Sequence, residues 1–393
     1  MQTNLLSDLL ATDSGQRADA ILRKCVHCGF CNATCPTHQV TGDELDGPRG
    51  RIYLIKEMLE GNTTTSNTLG HLDTCLTCLN CETTCPSGVK YGELIEIGRE
   101  QIENIVQRNK LVSIKRQLMC SILPYPKRFK PLFKIASAFG LTIKSKSIPS
   151  FQQTLHDRKV IVLDGCVQSV TSPEINYALK IQLDRLNIQA IETLQAHCCG
   201  AIHYHNGNPE HAINIIKSNI DLWWPYIEDG CEAILMTASG CGLTVKDYAR
   251  ILQHDTEYAQ KAQRISQLTL DACEFLMSMQ FTNHTKYTSV AFHPPCTLQH
   301  GQKINNVVEK ILINAGFTCV DFNDKHLCCG SAGTYSLMQP ALANTLRNNK
   351  INHIQHAKPD VIATANIGCL LHLQKGTDIP VKHWLELVTS KHL

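Results

Sequence analysis

"CVHCGFCNATCP" at residues 25–36 returns as "CLTCLNCETTCP" at residues 75–86, with every cysteine and the closing proline in the same place. Both read C-x2-C-x2-C-x3-C-P. Three thiolates within seven residues, on a loop wound round one cubane, reach three of its iron corners. The fourth cysteine of each run has turned away by then and serves the other cluster. The spacing therefore assigns Cys25, Cys28, Cys31 and Cys85 to one 4Fe–4S cluster, and Cys75, Cys78, Cys81 and Cys35 to a second. Pro36 and Pro86 force the chain out of each loop, because proline fixes φ and carries no N–H. Zinc is the alternative, but four-cysteine zinc sites usually show two separated C-x2-C pairs, not an unbroken run that repeats.

The insert between the motifs predicts helix. "RIYLIKEMLEG" (51–61) carries Ile52, Ile55, Met58 and Leu59 at helical spacing, and "YGELIEIGREQIENIVQR" (91–108) continues that period through Leu94, Ile97, Ile102 and Val106. Residues 1–110 are thus expected to form an α-helical ferredoxin-like domain. "GDELDGPRGR" (42–51) reads as a turn-rich loop. Its Arg49 and Arg51 either lie near a cluster, favouring the reduced and more negative state, or are simply solvated.

Twenty cysteines in 393 residues is far above ordinary usage, and the formal charge is only +2. Nothing in that balance points to nucleic acid. The N-terminus has no basic start and no unbroken apolar core, so it does not read as a secretory signal. No apolar run approaches the ~18–20 residues that span a bilayer. A cytoplasmic protein follows, in which clustered cysteines serve as metal ligands rather than disulfides. Residues 104–156 hold ten Lys or Arg and no acidic residue. This basic stretch predicts a linker over 111–157 that lies on anionic lipid, docks on an acidic partner, or is merely solvated.

The second half contains a repeat. "KVIVLDGC" (159–166) and "SVAFHPPC" (289–296) are β-rich runs ending in Cys, and 31 residues separate each from a Cys-Cys-Gly, at 198–200 and 328–330. Each unit closes on a further cysteine, Cys241 or Cys369. Strand, helix, strand, Cys-Cys-Gly turn, helix, strand is the order in both. Strands are expected at 159–164, 232–237, 288–293 and 360–365, with helices at 173–187, 209–229, 299–315 and 334–357. Such alternation implies parallel sheets covered by helices. The fold class is therefore α+β multidomain, with the ferredoxin-like domain followed by two pseudo-twofold related α/β modules at 158–285 and 286–393. Cys166, Cys198, Cys199 and Cys241, and likewise Cys296, Cys328, Cys329 and Cys369, fall in βα turns, where open α/β sheets place ligands. Either set of four thiolates would suit one further iron–sulfur cluster. Cys120, Cys231, Cys273 and Cys319 have no counterparts and are expected to be packing residues.

With "GDELDGPRGRIYLIKEMLEG", "TASGCG", "HLCCGSAGTY" and "TANIGC" added to the two cysteine runs, the chain resembles the iron–sulfur subunits of bacterial glycolate oxidase (glycolate dehydrogenase) from about residue 20 onward. It is more distantly similar to the iron–sulfur subunits of anaerobic glycerol-3-phosphate dehydrogenase, lactate utilisation and heterodisulfide reductase. The resemblance implies FAD-binding flavoprotein subunits that oxidise glycolate, or D-lactate, while this chain passes electrons towards a quinone or other respiratory acceptor. It also implies a peripheral place on the cytoplasmic face of the inner membrane. No strand is followed by G-x-G-x-x-G, so no flavin is expected on this chain. The competing reading is a thiol or disulfide active site in the Cys-Cys-Gly modules, as in heterodisulfide reductase. Against it, Ala238 and Asn366 stand where that family has an additional cysteine.

Overall fold

A computed structural model describes residues 1–139, 148, 153–193 and 198–389. By packing, the chain falls into two compact units: Met1–Arg116 with Asp324–Lys350, and Gln117–Asn323 with Ile351–Leu393. Sequence repeat and compact unit are thus different partitions, because the segment bearing the second Cys-Cys-Gly belongs with the N-terminal unit.

The N-terminal unit is built on helices. Helix Pro48–Leu59 buries Ile52, Ile55, Met58 and Leu59, and helix Tyr91–Ile105 buries Leu94, Ile95, Ile97 and Ile102 against the same core. The expected loop at 42–51 is shorter than its composition implied. A single 3-10 turn, Glu44–Asp46, is capped by the Asp43 side chain, which accepts from Leu45 N at 2.9 Å. The helix then starts at Pro48, whose fixed φ and missing N–H suit a first helical position. Arg49 and Arg51 therefore sit on a helix, and Arg51 points inward. Segment 324–350 joins this unit through Asn80 Nδ2, which donates to His326 O at 3.4 Å, and Tyr335 OH, which donates to Thr74 O at 3.1 Å.

The other unit contains two parallel four-stranded sheets. Strands β1 (Arg158–Val162), β2 (Ile188–Ile191), β3 (Ala233–Met236) and β4 (Thr269–Asp271) run in the order β2-β1-β3-β4. Strands β5 (Ser289–His293), β6 (Thr318–Cys319), β7 (Val361–Thr364) and β8 (Val381–His383) repeat that order as β6-β5-β7-β8. The central strands β3 and β7 are buried at every position, which explains their unbroken apolar sequence. The outer strands β4 and β8 were not expected. At three residues each they are too short for periodicity to register.

Two expected helices are interrupted. A π-helical turn at Thr297–Gly301 precedes helix Val307–Asn314, and Pro340 opens a new helix after Tyr335–Met338. The expected linker is helical at Lys110–Ile122 and Pro126–Ala138, while its stretches 140–147 and 149–152 lie outside the described residues. No helix among the described residues is long and apolar enough to cross a membrane.

The modules meet at the carboxyl ends of their sheets. Ser239 N donates to Ala365 O at 3.2 Å, and the Ser239 and Thr297 hydroxyls pair at 2.7 Å. His383, fully buried at the end of β8, lies 2.9 Å through Nε2 from Thr237 O, while its Nδ1 accepts from Leu385 N at 3.3 Å. Both contacts are satisfied together only by the neutral ring with its proton on Nε2. Burial accordingly pushes His383 down to about 4, against an ordinary value of about 6.5. As pH falls below 6.5 the unfolded chain takes up this proton first, so the contribution is complete above 6.5 and is lost as pH falls towards 4. Its ceiling is on the order of 3 kcal/mol. The stability gap between wild type and His383→Gln is expected to narrow from pH 7.5 to pH 5 in denaturant unfolding; a pH-independent gap would contradict this.

Candidate iron–sulfur sites

Each ferredoxin-type loop is wound by two left-handed residues at matching places. In the first these are His27 (φ 56°) and Gly29 (φ 84°); in the second, Thr77 (φ 52°) and Leu79 (φ 62°). Left-handed backbone is costly for a residue with a Cβ, so Leu79 in particular is held there by its surroundings. The last cysteine of each motif behaves differently. Cys35 (φ −86°, ψ 115°) and Cys85 (φ −73°, ψ 115°) are extended, as the residue before a proline is driven to be. Proline thereby directs the fourth thiol away from its own loop.

The result is an exchange. Cys85 interacts electrostatically with Cys25 and Cys31 and lines one cavity with Cys25, Cys28 and Cys31. Cys35 interacts with Cys78, and Cys81 with Cys78, Cys75 and Cys35. Cys81 also borders the first cavity, so the two sets adjoin. Burial pushes Cys31 up to about 11 and Cys81 well above the ordinary thiol value, and the neighbouring sulfurs add to both shifts. Thiols raised in this way ionise there only when a cation binds among them. A lone zinc ion, with Zn–S near 2.3 Å, would draw its sulfurs closer together than 4.8 Å. Among the described residues, none of these eight cysteines belongs to a group of three ligands that close.

The second set has surroundings that sequence spacing does not disclose. Tyr91 OH donates to Cys75 Sγ at 3.5 Å, Thr77 N donates to the same sulfur at 3.4 Å, and Thr37 Oγ1 lies 3.2 Å from Cys35 Sγ. Arg51 is in the same network. Burial opposes its charge, but the acidic groups Tyr91, Cys75, Cys35 and Asp46 hold the guanidinium above its ordinary value. Arg49 is half-buried and lines the first cavity near Cys28 and Cys31, its Nε donating to Glu44 Oε1 at 2.6 Å.

In the first Cys-Cys-Gly module, Cys166, Cys198, Cys199 and Cys241 form one hydrogen-bonded run of thiols. Cys198 and Cys241 hold Cys199 well below the ordinary value, while Cys198 is raised by Cys166 and then Cys199, and Cys241 by Cys199 and burial. Asn219 and Tyr248 fix the carbonyls of Cys198 and Cys199, each at 2.8 Å. Gly200 (φ 95°) and Gly330 (φ 88°) turn the chain in the left-handed region, and each N–H donates to the first sulfur of its pair, Cys198 or Cys328, at 3.4 Å. A Cβ at Gly330 would lie 2.6 Å from Ala343 O, so the glycine is sterically required. His197, before the first pair, lies outside the described residues.

Cys328 and Cys329 lie in the N-terminal unit, while Cys296 and Cys369 follow β5 and β7 in the other. Asn366 precedes the helix bearing Cys369; its Nδ2 is 3.6 Å from Cys369 Sγ, and its Oδ1 accepts from Gly240 N at 3.4 Å. Ala238 occupies the equivalent position in the first module. Of the cysteines expected only to pack, Cys120, Cys231 and Cys273 are buried and Cys319 is half-buried.

A 4Fe–4S dicluster domain model matches residues 21–89, and a cysteine-rich domain model matches twice, at 160–246 and 290–374. The glycolate oxidase iron–sulfur subunit of Escherichia coli K12 is 48% identical over 403 residues, covering 99% of this chain and 98% of that protein. The chain belongs to the glycolate oxidase iron–sulfur subunit family. A probable glycolate oxidase iron–sulfur subunit from Bacillus subtilis 168 is 27% identical, over 91% of this chain and 89% of its own length. Lactate utilization protein A of Geobacillus sp. WCH70 is 23% identical and matches 59% of this chain with its whole length. Membership of the family, with the dicluster match, makes this an iron–sulfur protein of the 4Fe–4S type.

The proximity of each motif's last cysteine to the other motif's set makes a specific demand. Replacing Cys85 with Ser is expected to alter the cluster on Cys25, Cys28 and Cys31, and Cys35→Ser the cluster on Cys75, Cys78 and Cys81. EPR of the reduced variants would read this as loss or change of a different signal in each. If Cys85→Ser and Cys78→Ser affect the same signal, the exchange is wrong.

Proposed function

We propose that this chain is the electron-transfer subunit of a flavin-dependent glycolate dehydrogenase. The observation that carries the reading is the adjacency of two four-cysteine sets, each completed by the other motif's last cysteine, within one compact unit. A bound 4Fe–4S cluster takes up and releases one electron at a time. Oxidation of glycolate to glyoxylate yields two electrons and two protons, and a flavin is the usual group to collect them together. FAD-binding flavoprotein subunits would perform that step, and D-lactate to pyruvate is the same chemistry. Cys25, Cys28, Cys31 and Cys85 would hold one cluster, and Cys75, Cys78, Cys81 and Cys35 the other. Cys28 reaches the surface beside exposed Val26 and Phe30, giving the first set an outward edge. The final acceptor would be a quinone or another respiratory carrier.

The Cys-Cys-Gly modules would add one or two further clusters, on Cys166, Cys198, Cys199 and Cys241 and on Cys296, Cys328, Cys329 and Cys369. Anaerobic preparations are then expected to hold clearly more than the about eight irons of two cubanes. A count that stops at eight would mean that both modules are empty.

Helix Pro126–Ala138 supports a peripheral place on the inner membrane. It carries Lys127, Arg128, Lys130 and Lys134, and Leu132, Ile135 and the following Phe139 are exposed at positions i, i+3 and i+7. Roughly 1 kcal/mol per basic residue near an anionic surface would make attachment reversible and salt-sensitive. Glycolate-dependent dye reduction is expected only when this chain is combined with its flavoprotein subunits. Lys127→Glu, Arg128→Glu and Lys130→Glu together should release the complex from membranes with that activity intact. Disulfide reduction by the isolated chain would contradict the electron-carrier reading. Break-up of the complex by the triple variant would make the helix a subunit interface instead.

A further inference from the structure

We infer that Arg51 sets the reduction potential of one cluster only, the one assigned to Cys35, Cys75, Cys78 and Cys81, and that Asp46 moderates its effect. The inference rests on the cluster assignment proposed above and goes beyond it to the residues that tune one site against the other.

The side chain of Arg51 is 1% exposed. It is fixed from three directions: Nε donates to His71 O at 2.7 Å, and Nη2 donates to Thr74 Oγ1 at 2.8 Å and to Thr37 Oγ1 at 3.2 Å. Thr37 is the residue whose hydroxyl lies 3.2 Å from Cys35 Sγ. The guanidinium therefore approaches that ligand through one intervening hydroxyl, and it also interacts directly with the charge on Cys35 and Cys75. A buried guanidinium with neutral hydrogen-bond partners keeps its full positive field. The nearest carboxylate is Asp46, whose Oδ1 is 3.6 Å from Nη2. That oxygen is already shared: Thr74 Oγ1 donates to it at 2.8 Å, and His71 Nδ1 lies 2.9 Å away. Asp46 thus neutralises Arg51 only in part.

One-electron reduction adds one negative charge to a cluster, and no bond forms or breaks. A fixed cation beside the sulfurs stabilises that added charge and raises the potential, as do hydrogen bonds to the sulfurs. Around Cys35 and Cys75 both devices are present, since Tyr91 OH and Thr77 N donate to Cys75 Sγ. Arg49, the arginine two residues earlier, is half-buried and bonded to Glu44. It lines the cavity of the first set and interacts with Cys28 and Cys31, so its field belongs to that set and not to the second.

Two substitutions of opposite sign test this. Arg51→Gln should lower the midpoint of one cluster, whereas Asp46→Asn should raise the midpoint of the same cluster by freeing the arginine's field. The measurement is an EPR-monitored redox titration of the anaerobically purified full chain. The expected loss for Arg51→Gln is at least tenfold in the equilibrium constant for reduction, which for one electron is 59 mV. Arg51→Lys should restore much of the lost potential, and Arg49→Gln should leave this midpoint unchanged. A structural role alone would not give opposite signs. If Arg51→Gln fails to hold its cluster, the upward shift in Asp46→Asn still decides. An unchanged midpoint in both variants, or a shift of the same sign in both, overturns the inference. A wild-type chain without two 4Fe–4S signals would instead overturn the cluster assignment.

Discussion

Negative sulfur must be brought out of water and kept charged; the N-terminal unit is arranged round that requirement. A buried charge without a partner is prohibitively unfavourable, and here eight thiols are drawn into two adjoining sets. Iron supplies the principal counter-charge. The protein supplies the geometry, through two left-handed residues in each loop and a proline that forces the last cysteine to be extended. Each loop's last cysteine lies with the other loop's first three, so neither set is complete without the other's chain segment. The helices Pro48–Leu59 and Tyr91–Ile105 then do two jobs. One face builds the apolar core, while Arg51 and Tyr91 project polar groups towards the second set.

The Cys-Cys-Gly modules answer the same requirement with different means. Parallel sheets gather several loops at the carboxyl ends of their strands, and a left-handed glycine admits two consecutive thiols to one place. In the first module the carbonyls of that cysteine pair are held by Asn219 and Tyr248. In the second, Asn366 offers an amide N–H to Cys369 where the first has Ala238. The two modules share a sheet order and yet have different polar surroundings.

The cysteine spacing made much of this legible, because ligand geometry is local: the runs at 25–36 and 75–86 and the doubled Cys-Cys-Gly are short patterns with a steric meaning. The parallel sheets were also legible, since buried central strands such as Val361–Thr364 must be apolar throughout. Other features are decided by tertiary contact. The sequence left Arg51 either near a cluster or solvated, and only the closed fold decides between the two; Tyr91 is indistinguishable in sequence from a packing aromatic. Strands β4 and β8 carry three residues each, so only their neighbours identify them. The extra helix-start at Pro48 was available in the sequence as a proline after glycine, but the surrounding Gly and Asp residues favoured a loop. Asp324–Lys350 packs with the N-terminal unit through tertiary contacts such as Tyr335 to Thr74, for which no local signal exists.

The central claim is that electrons removed from the substrate travel through the cysteine sets of this chain. Rapid freeze-quench EPR of the assembled complex mixed with glycolate, without added acceptor, tests it most directly. The account predicts that 4Fe–4S signals from this chain appear at least as fast as the complex turns over. Clusters that stay oxidised while glyoxylate forms at the normal rate would contradict it.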